Sequence, residues 1–462
     1  MILDWCSRHR LKSVTNNDVK YIKKSLSENT DPFGYFYLTY KIHKPGRKTR
    51  PVCSDCSSII HALGQWITTE LLPIAQRQQS YFENSFAMKE ILDDMIIPPN
   101  GRLFSCDAVS MYTNIPTEPA LNVIGNYLFD NMHPDRAAAI LEALAIVMKN
   151  NIIRFGDTYW KQIAGTAMGI SPAPPWAILF FAIHENIFVE KWHTNLPFWK
   201  RFIDDGIGLW LLDADKTTND ELWAEFQRDV NNFHGLKWEF TPLSTSIDFM
   251  DMNISINQSA LDITLFEKPL NLYLYITPNS AHPPGMVTGL VHGMMLRIYK
   301  LCSNPLDIRR RIKTLLRRLL RRGYEKEFLI PLFSKANDNA KQHLTRSRDE
   351  IKAREDKKLV EGYRRVFLHL KYHPNDPDSR TIQKIFRNTI LHPPGKEHIN
   401  QVRNHEDEKI PIDQLTIAYS RHHNLGNLFS VRKFHKNGDQ MCRHLLDLTH
   451  LVPVLFSNEG NA

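Results

Sequence analysis

The sequence predicts an α+β fold in which a small antiparallel sheet packs on helices and a helical region follows it. Three observations carry this prediction. Short apolar runs at 103–106, 197–203 and 206–212 have the length of strands. The run 176–183 is almost wholly apolar, which indicates a buried helix that is far too short to cross a bilayer. Apolar residues in 309–322 recur every three to four positions, the period of an amphipathic helix.

Composition narrows the class of protein. With 462 residues, of which 42% are hydrophobic, the chain can bury a large core and should form two or three domains. A formal net charge of +8 and a pI near 9.0 favour an anionic partner. Six scattered cysteines are typical of a reducing compartment. No signal peptide or membrane-spanning stretch is evident, so we expect no membrane partner.

Asp204 and Asp205 are adjacent in a tight turn between two of the predicted strands. An Asp-Asp-Gly sequence is, on its own, ordinary turn chemistry. Adjacent carboxylates repel each other, however, and a divalent cation removes that repulsion. Hard carboxylate oxygens are the ligands that Mg²⁺ prefers. Asp107, at the end of the strand that begins at Leu103, is a second acidic site, and it favours a cation-binding site over an isolated turn.

The order of these segments resembles the palm of reverse transcriptases. In that family a strand-terminal aspartate is followed by an aromatic residue five positions later, then by a Gly-rich segment and an aromatic-x-Asp-Asp hairpin. Asp107 matches the first aspartate and Tyr112 the aromatic residue, while Phe202 stands where many relatives have tyrosine. Met168 and Gly169 lie in the segment that matches the loop against the incoming nucleotide. Many relatives have glutamine in place of Met168, so the polar contacts of that glutamine are not carried over.

A basic and aromatic segment precedes the palm-like region. Lys-Ile-His-Lys-Pro-Gly at 41–46, followed by Arg-Pro-Val at 50–52, resembles the fingers of Penelope-like retroelement reverse transcriptases. Basic residues interleaved with aromatics suit phosphate and base contacts, although a solvated basic hairpin has the same composition. The resemblance implies that Arg50 contacts the triphosphate and that Lys41 is a second candidate. With weaker matches downstream, the chain is identified as a Penelope-like reverse transcriptase, related in core architecture to telomerase.

This resemblance implies a right-hand polymerase with fingers, a palm whose antiparallel sheet packs on helices, and a helical thumb. Many such elements also carry a C-terminal GIY-YIG endonuclease, and no such motif follows here, so we expect no nicking of supercoiled plasmid. The expected division is a polar lead-in at 1–30, fingers at 31–100, a palm at 101–265 with a helical insertion at about 119–151, a thumb at 266–340, and a charged linker with a small C-terminal extension at 341–462.

The resemblance also implies the chemistry. Two Mg²⁺ ions, for which Mn²⁺ can substitute, would activate the primer 3′-hydroxyl and stabilise charge on the leaving pyrophosphate. Asp107, Asp204 and Asp205 would be the catalytic and metal-binding residues. Because adjacent side chains on a strand alternate faces, the metal that arrives with the nucleotide is assigned to Asp107 and Asp204 ahead of Asp205. Tyr112 would lie under the sugar and exclude ribonucleotides, the alternative being a packed core aromatic. Lys237 is a candidate general acid.

The segment 309–322 carries eight basic residues among fourteen. Amphipathic basic helices bind membranes or acidic proteins in other contexts, or simply expose a solvated charged face. Placed after a palm, this one is interpreted as a thumb helix along the template–primer backbone, with salt-dependent binding. The predicted nucleic-acid-binding residues are Arg309, Arg310, Arg317, Arg318, Arg321 and Arg322.

The expected partners are an RNA template, a DNA primer and deoxynucleotide triphosphates, and the expected place of action is the nucleus. Two other functions stay open. One is a catalytically inactive or domesticated RNA-binding remnant of such an element, because Phe202 and Met168 differ from common patterns. The other is a different two-metal phosphotransferase, such as a nuclease. The three carboxylates and Arg50 argue against decay, and Tyr112 with the Gly-rich loop favours polymerisation.

Overall fold

The structure is a computed structural model, which divides the chain into two compact units, Met1–Asn271 with His435–Ala462, and Leu272–Phe434. Lys41, a predicted triphosphate contact, lies outside the described residues. The described residues are 1–28, 32–40, 49–56, 58–283, 285–345, 365–373, 375–388, 401–403, 409–411, 414–420 and 456–458.

The first unit mixes helices with short strands. Its elements are, in chain order, α1 (Ile2–His9), α2 (Asn16–Glu28), β1 (Gly34–Tyr40), β2 (Thr49–Ser54), α3 (His61–Gln76), α4 (Ser85–Asp93), β3 (Gly101–Ala108), α5 (Met111–Asn114), α6 (Thr117–Asn131), α7 (Pro134–Lys149), β4 (Ile152–Phe155), β5 (Thr158–Gln162), α8 (Ala173–Lys191), β6 (Phe198–Phe202), β7 (Asp205–Leu211), α9 (Lys216–Asn231), β8 (Trp238–Phe240), β9 (Ser246–Phe249), β10 (Met252–Asn257), β11 (Ala260–Leu265) and β16 (Phe456–Asn458).

A four-stranded antiparallel sheet in the order β6-β7-β3-β8 carries the predicted acidic sites. It confirms the predicted strands and the hairpin between them. Phe104 of β3 is fully buried, and its ring lies 4.8 Å from that of Trp223 on α9. Gly208 is opposite Phe104, and a Cβ at this glycine would lie 2.3 Å from the Phe104 ring. The glycine therefore makes room for the aromatic core that joins the sheet to its helices.

Two further sheets complete the first unit. Strands β16-β5-β4-β1-β2 form a five-stranded sheet, in which β1 and β4 are parallel. Strands β11-β10-β9 form a three-stranded antiparallel sheet. The strand β2 is important for the site because it carries Arg50.

Helix α8 confirms the predicted buried helix and extends it to Lys191. Pro172 precedes it, and Pro174 and Pro175 stand in its first turn, where the missing N–H groups leave no hydrogen bond unmade. The side chains of Trp176, Phe180 and Phe181 are fully buried. Among the described residues, no helix combines the length and the apolar character needed to cross a membrane.

The predicted lead-in is a folded part of the first unit. Its two helices α1 and α2 bury Trp5 and Ile22 in the hydrophobic core. The Trp5 indole N–H donates to the carbonyl of Ala139 on α7 at 3.0 Å. Only a few residues of this segment are buried, and they recur at helical spacing. The average composition is therefore polar, although one face of each helix is apolar.

The second unit is mainly helical in its first part. Val291, Met295, Leu315, Leu319, Leu329 and Phe333 share a buried cluster. Helix α11 (Pro305–Arg321) confirms the predicted amphipathic helix, and strand β12 (Arg365–Lys371) is parallel to β15 (Gln414–Ser420). The elements are α10 (Met286–Leu301), α11 (Pro305–Arg321), α12 (Lys326–Leu344), β12 (Arg365–Lys371), α13 (Ser379–Phe386), β13 (Gln401–Arg403), β14 (Lys409–Pro411) and β15 (Gln414–Ser420).

Candidate active site

Asp107 and Asp205 lie directly opposite each other on β3 and β7. Paired residues of antiparallel strands place their side chains on the same face, with Cβ atoms about 4.5–5.5 Å apart. Asp107 is exposed and Asp205 is half-buried. The backbone carbonyl of Asp204 accepts a hydrogen bond from the Ala108 N–H at 2.8 Å, which fixes the hairpin turn to the end of β3. Two of the three predicted carboxylates therefore share one face of the sheet, at the end of its two central strands.

Asp204 occupies the turn between β6 and β7 and is half-buried. Ile203, which precedes it, has φ +54°, a left-handed conformation that β-branched residues seldom adopt. Burial, and after it the negative charge of Asp204, raises the pKa of Tyr112 to about 12, so Asp204 is within electrostatic range of the phenol. In the strand register Asp107 is paired with Asp205, while Asp204 stands in the turn. The assignment of the metal to Asp107 and Asp204 ahead of Asp205 stays a prediction.

Tyr112 lies in the short helix α5 and is half-buried. Its backbone carbonyl accepts from the Thr166 N–H at 2.6 Å, and Gly165 beside it has φ +71°. A Cβ at Gly165 would lie 2.6 Å from the Thr113 carbonyl oxygen, so the loop approaches α5 more closely than any side chain would allow. The Trp176 indole N–H, in turn, donates to the Thr166 hydroxyl at 3.0 Å. The Gly-rich loop thus ties Tyr112 to the start of α8.

The other end of the same loop contacts β2. The carbonyl of Met168 accepts from the Cys53 N–H at 2.7 Å. Gly169 has φ +114°, and a Cβ there would lie 2.7 Å from the Cys53 carbonyl oxygen. Arg50 is exposed on the same strand and is paired with Thr39 of β1. The loop therefore bridges two elements by hydrogen bonds: the strand that carries Arg50 and the helix that carries Tyr112.

The donor set at the aspartates suits a divalent cation. Like charges directly opposite each other destabilise a sheet, and carboxylate oxygens are preferred ligands of Mg²⁺. The structure supplies one such pair, Asp107 and Asp205, with Asp204 in the adjoining turn. No group of three or more His, Cys, Asp or Glu side chains has a metal-holding arrangement in the part of the chain that the structure describes. The candidate cation site is therefore the paired Asp107 and Asp205, with the Asp204 carboxylate in the adjoining turn.

Four exposed basic residues of α11 form a stripe, which we define as Arg309, Lys313, Arg317 and Arg321. Each is four residues from the next, so the four share one face, and all four are exposed. At a rise of 1.5 Å per residue, the stripe is about 18 Å long. Lys313 was not among the predicted nucleic-acid-binding residues.

The other three predicted arginines make contacts within the second unit. The Arg318 guanidinium lies 3.5 Å from the centroid of the Tyr273 ring. Arg322 Nε donates to the Tyr275 carbonyl at 2.6 Å, and Arg310 pairs with Asp307 at 2.5 Å. Arg318 and Arg322 therefore hold the segment before α10 against α11. The sequence alone does not separate these structural arginines from the stripe.

A buried ion pair that the sequence did not predict lies behind the turn that carries Asp204. Glu185 of α8 and Arg201 of β6 are both almost fully buried, and Arg201 Nε donates to Glu185 Oε1 at 2.7 Å. One signal was present in the sequence. Alternation along β6 places Arg201 on the same face as Trp199, which is the apolar and hence the buried face.

A family model described as an animal helix-turn-helix domain matches residues 274–331, which is far less than half of the chain and lies in the second unit. The comparison with curated proteins found no match.

Solved polymerases resemble the chain. It is 13% identical to the RNA-dependent RNA polymerase of a human picobirnavirus, with a TM-score of 0.50, over 74% of this chain and 73% of that one. It is also 13% identical to a telomerase of Candida albicans in complex with the TWJ fragment of telomeric RNA, with a TM-score of 0.47, over 69% of this chain. The chain spans 58% of the length of that telomerase. The similarity to the viral polymerase shows that this protein has the α+β fold of right-hand polymerases.

Proposed function

We propose that this protein is an RNA-directed DNA polymerase of a Penelope-like retroelement, which adds deoxynucleotides to a primer 3′-hydroxyl. The observation that carries the proposal is the pairing of Asp107 with Asp205 across β3 and β7, with Asp204 in the adjoining turn. The polymerase-type fold supports a nucleic-acid polymerase. The choice of an RNA template, of a DNA product and of this class of element is supported by the sequence motifs described above. A nuclear place of action stays a prediction.

The three aspartates would hold Mg²⁺. When bound, the metal would activate the primer hydroxyl and stabilise charge on the departing pyrophosphate. Asp107 and Asp205 would contribute oxygens from one face of the sheet, and Asp204 from the turn. Because the turn is hydrogen-bonded to the end of β3 through Ala108, these groups would keep their positions as charge develops.

Tyr112 and Arg50 would bind the nucleotide. The phenol of Tyr112 is neutral at physiological pH, since burial and Asp204 raise its pKa to about 12. It would therefore present an uncharged, half-buried ring to the sugar. Arg50 is exposed and would contact the triphosphate. Both belong to elements that the loop containing Gly165 and Gly169 joins, so we propose that this loop sets their spacing.

The basic stripe would contact the phosphates of the template–primer duplex. The match of 274–331 to a helix-turn-helix model is compatible with nucleic-acid binding by the second unit. Four exposed cations on one face of α11 would each neutralise a phosphate, which makes binding salt-dependent.

A substrate panel tests the proposal. The purified protein is given a DNA primer on an RNA or a DNA template, with deoxynucleotides or ribonucleotides, in Mg²⁺. We expect extension on the RNA template with deoxynucleotides. Binding of the hybrid without any extension would favour the inactive RNA-binding remnant. Degradation of the primer or template would favour a nuclease.

A further inference from the structure

The ion pair of Glu185 and Arg201 is buried directly behind the turn that carries Asp204. Both side chains are 1% exposed. Arg201 Nε and Nη2 donate to the two carboxylate oxygens of Glu185 at 2.7 Å and 2.9 Å. The geometry is bidentate, the arrangement in which a guanidinium and a carboxylate fix each other's orientation most strongly.

Other groups complete the surroundings of the carboxylate. Glu185 Oε1 accepts from the Trp199 indole N–H at 2.7 Å, and Oε2 accepts from the Ser80 hydroxyl at 2.5 Å. The backbone joins the same network, because the Arg201 N–H donates to the Ser80 carbonyl at 2.9 Å. Glu185 is therefore a fixed acceptor that determines where the Arg201 guanidinium lies.

The guanidinium reaches the turn itself. Arg201 Nη1 donates to the carbonyl of Ile203 at 2.7 Å, and Nη2 donates to the carbonyl of Ile178 on α8 at 2.8 Å. Ile203 is the residue with φ +54° that immediately precedes Asp204. The bond from Arg201 thus holds a backbone conformation that an isoleucine would seldom adopt unaided.

The strand register places the pair on the reverse face of the catalytic row. Arg201 pairs with Gly206, whereas Phe202 pairs with Asp205, which pairs with Asp107. Neighbouring rows of a sheet point to opposite faces. Arg201 therefore supports the aspartates from behind.

A gain in folding stability does not by itself explain why a buried ion pair is present here. The cost of removing two charges from water offsets their attraction, and well-packed apolar residues of similar volume are often as stabilising or more so. We propose that Arg201, oriented by Glu185, is a positioning residue that fixes the turn so that Asp204 and Asp205 keep their separation from Asp107. The inference rests on the proposed function, because it assigns the pair to the same catalytic site.

The test removes the pair without leaving a buried charge. The variant Arg201→Met/Glu185→Leu replaces both partners with apolar side chains of similar size. The matched control is Arg136→Met/Glu70→Leu, which removes another bidentate pair of the same unit, between α7 and α3, with Arg136–Glu70 distances of 2.7 Å and 2.8 Å. Thermal unfolding, hybrid binding, amide hydrogen exchange at 203–207 and the kcat and KM of primer extension are measured for each.

We expect the Arg201→Met/Glu185→Leu variant to fold and to bind the hybrid like the wild type. Amide exchange at 203–207 becomes faster, and kcat falls about 10- to 100-fold with little change in the KM for nucleotide. The control variant keeps both the exchange pattern of this turn and kcat. Exchange and kcat equal to those of the wild type in the first variant would overturn the inference.

Two further outcomes can be told apart from failure of the inference. If the double variant does not fold, Arg201→Lys gives the same comparison, because lysine keeps the charge beside Glu185 but cannot also reach the Ile203 carbonyl. If the wild type binds the hybrid but does not extend it, the proposed function fails. The exchange measurement still decides whether Arg201 fixes the turn.

Discussion

Asp107 and Asp205 face each other across two antiparallel strands, and the turn before Asp205 is held by a hydrogen bond from Ala108 to Asp204. Two carboxylates at directly opposite positions repel each other. A protein that places them at the ends of two central strands, beside a third aspartate, has a site whose charge suits a divalent cation. The relationship explains why Asp107 acts as one site with Asp204 and Asp205 in the proposal, although it is about a hundred residues away from them in sequence.

The Gly-rich loop between β5 and α8 contacts both β2 and α5, and its close approach to α5 depends on Gly165. We expect Gly165→Ala to lower the free energy of unfolding by about 2–4 kcal/mol, because it combines a strained positive φ with overlap of the Thr113 backbone. Gly235→Ala is the matched control, since Gly235 has a similar φ of +79° but no atom within 4 Å of an added Cβ. It should cost about 1–2 kcal/mol. Equal losses in urea unfolding would contradict the close approach at Gly165.

Tyr112 should discriminate by shape rather than by charge. Tyr112→Phe keeps the ring, and the wild-type phenol is neutral until the pH approaches its pKa of about 12. The two proteins should therefore show the same pH profile of primer extension between about pH 7 and pH 9. Tyr112→Ala removes the ring and should reduce discrimination against ribonucleotides by at least about tenfold. If Tyr112→Ala discriminates against ribonucleotides as well as the wild type does, the Tyr112 ring has only a packing role.

His184 should make the first unit sensitive to acid. Its ring stacks on Phe233 at 4.6 Å, and burial lowers its pKa below the usual value. The unfolded chain therefore takes up a proton first as the pH falls below about 6.5, so stability is present above that pH and is lost as the pH falls through the folded-state pKa.

We expect His184→Phe to lose less thermal stability than the wild type between pH 7.5 and pH 5.5. His193→Gln, at an exposed histidine of the same region, serves as the control and should behave like the wild type. Parallel pH profiles for all three proteins would show that another group causes the acid sensitivity.

The basic stripe should account for much of the salt dependence of nucleic-acid binding. Replacing Arg309, Lys313, Arg317 and Arg321 by glutamine removes four phosphate contacts, so the slope of log K against log salt should fall in magnitude by roughly 3–4 for a duplex. Arg318→Gln is the informative control, because Arg318 stacks on Tyr273. It should lower the thermal stability of the second unit and leave the salt slope nearly unchanged. A larger slope change for Arg318→Gln than for the stripe would reverse this assignment.

The sequence was sufficient for elements whose pattern is local. Short apolar runs and the Asp-Asp-Gly turn predicted the hairpin at Asp204, and helical spacing predicted α11, because hydrophobic patterning reflects which residues are buried. Register was not predictable in the same way. A shift of one residue moves every side chain to the other face, and the choice between Asp204 and Asp205 as the partner of Asp107 depends on that single step.

Contacts between distant segments were also beyond the sequence. The pairing of Glu185 with Arg201 is apparent only once α8 packs on β6. In the sequence, the apolar residues around each of them indicate only that both segments are buried. The six predicted arginines of 309–322 have the same local sequence pattern, and only contacts with Tyr273, Tyr275 and Asp307 distinguish those that pack within the unit. Long-range packing therefore decides which charged residues are available to a ligand.

Primer extension by aspartate variants tests the central claim most directly. The wild type, Asp107→Asn, Asp205→Asn and the control Asp262→Asn, at an exposed aspartate of β11, are compared on an RNA template with deoxynucleotides and Mg²⁺. We predict extension by the wild type and the control, and a loss of about 10²- to 10³-fold for each of the other two, with unchanged hybrid binding. Extension by Asp107→Asn or Asp205→Asn at the wild-type rate would contradict a catalytic site built on this pair.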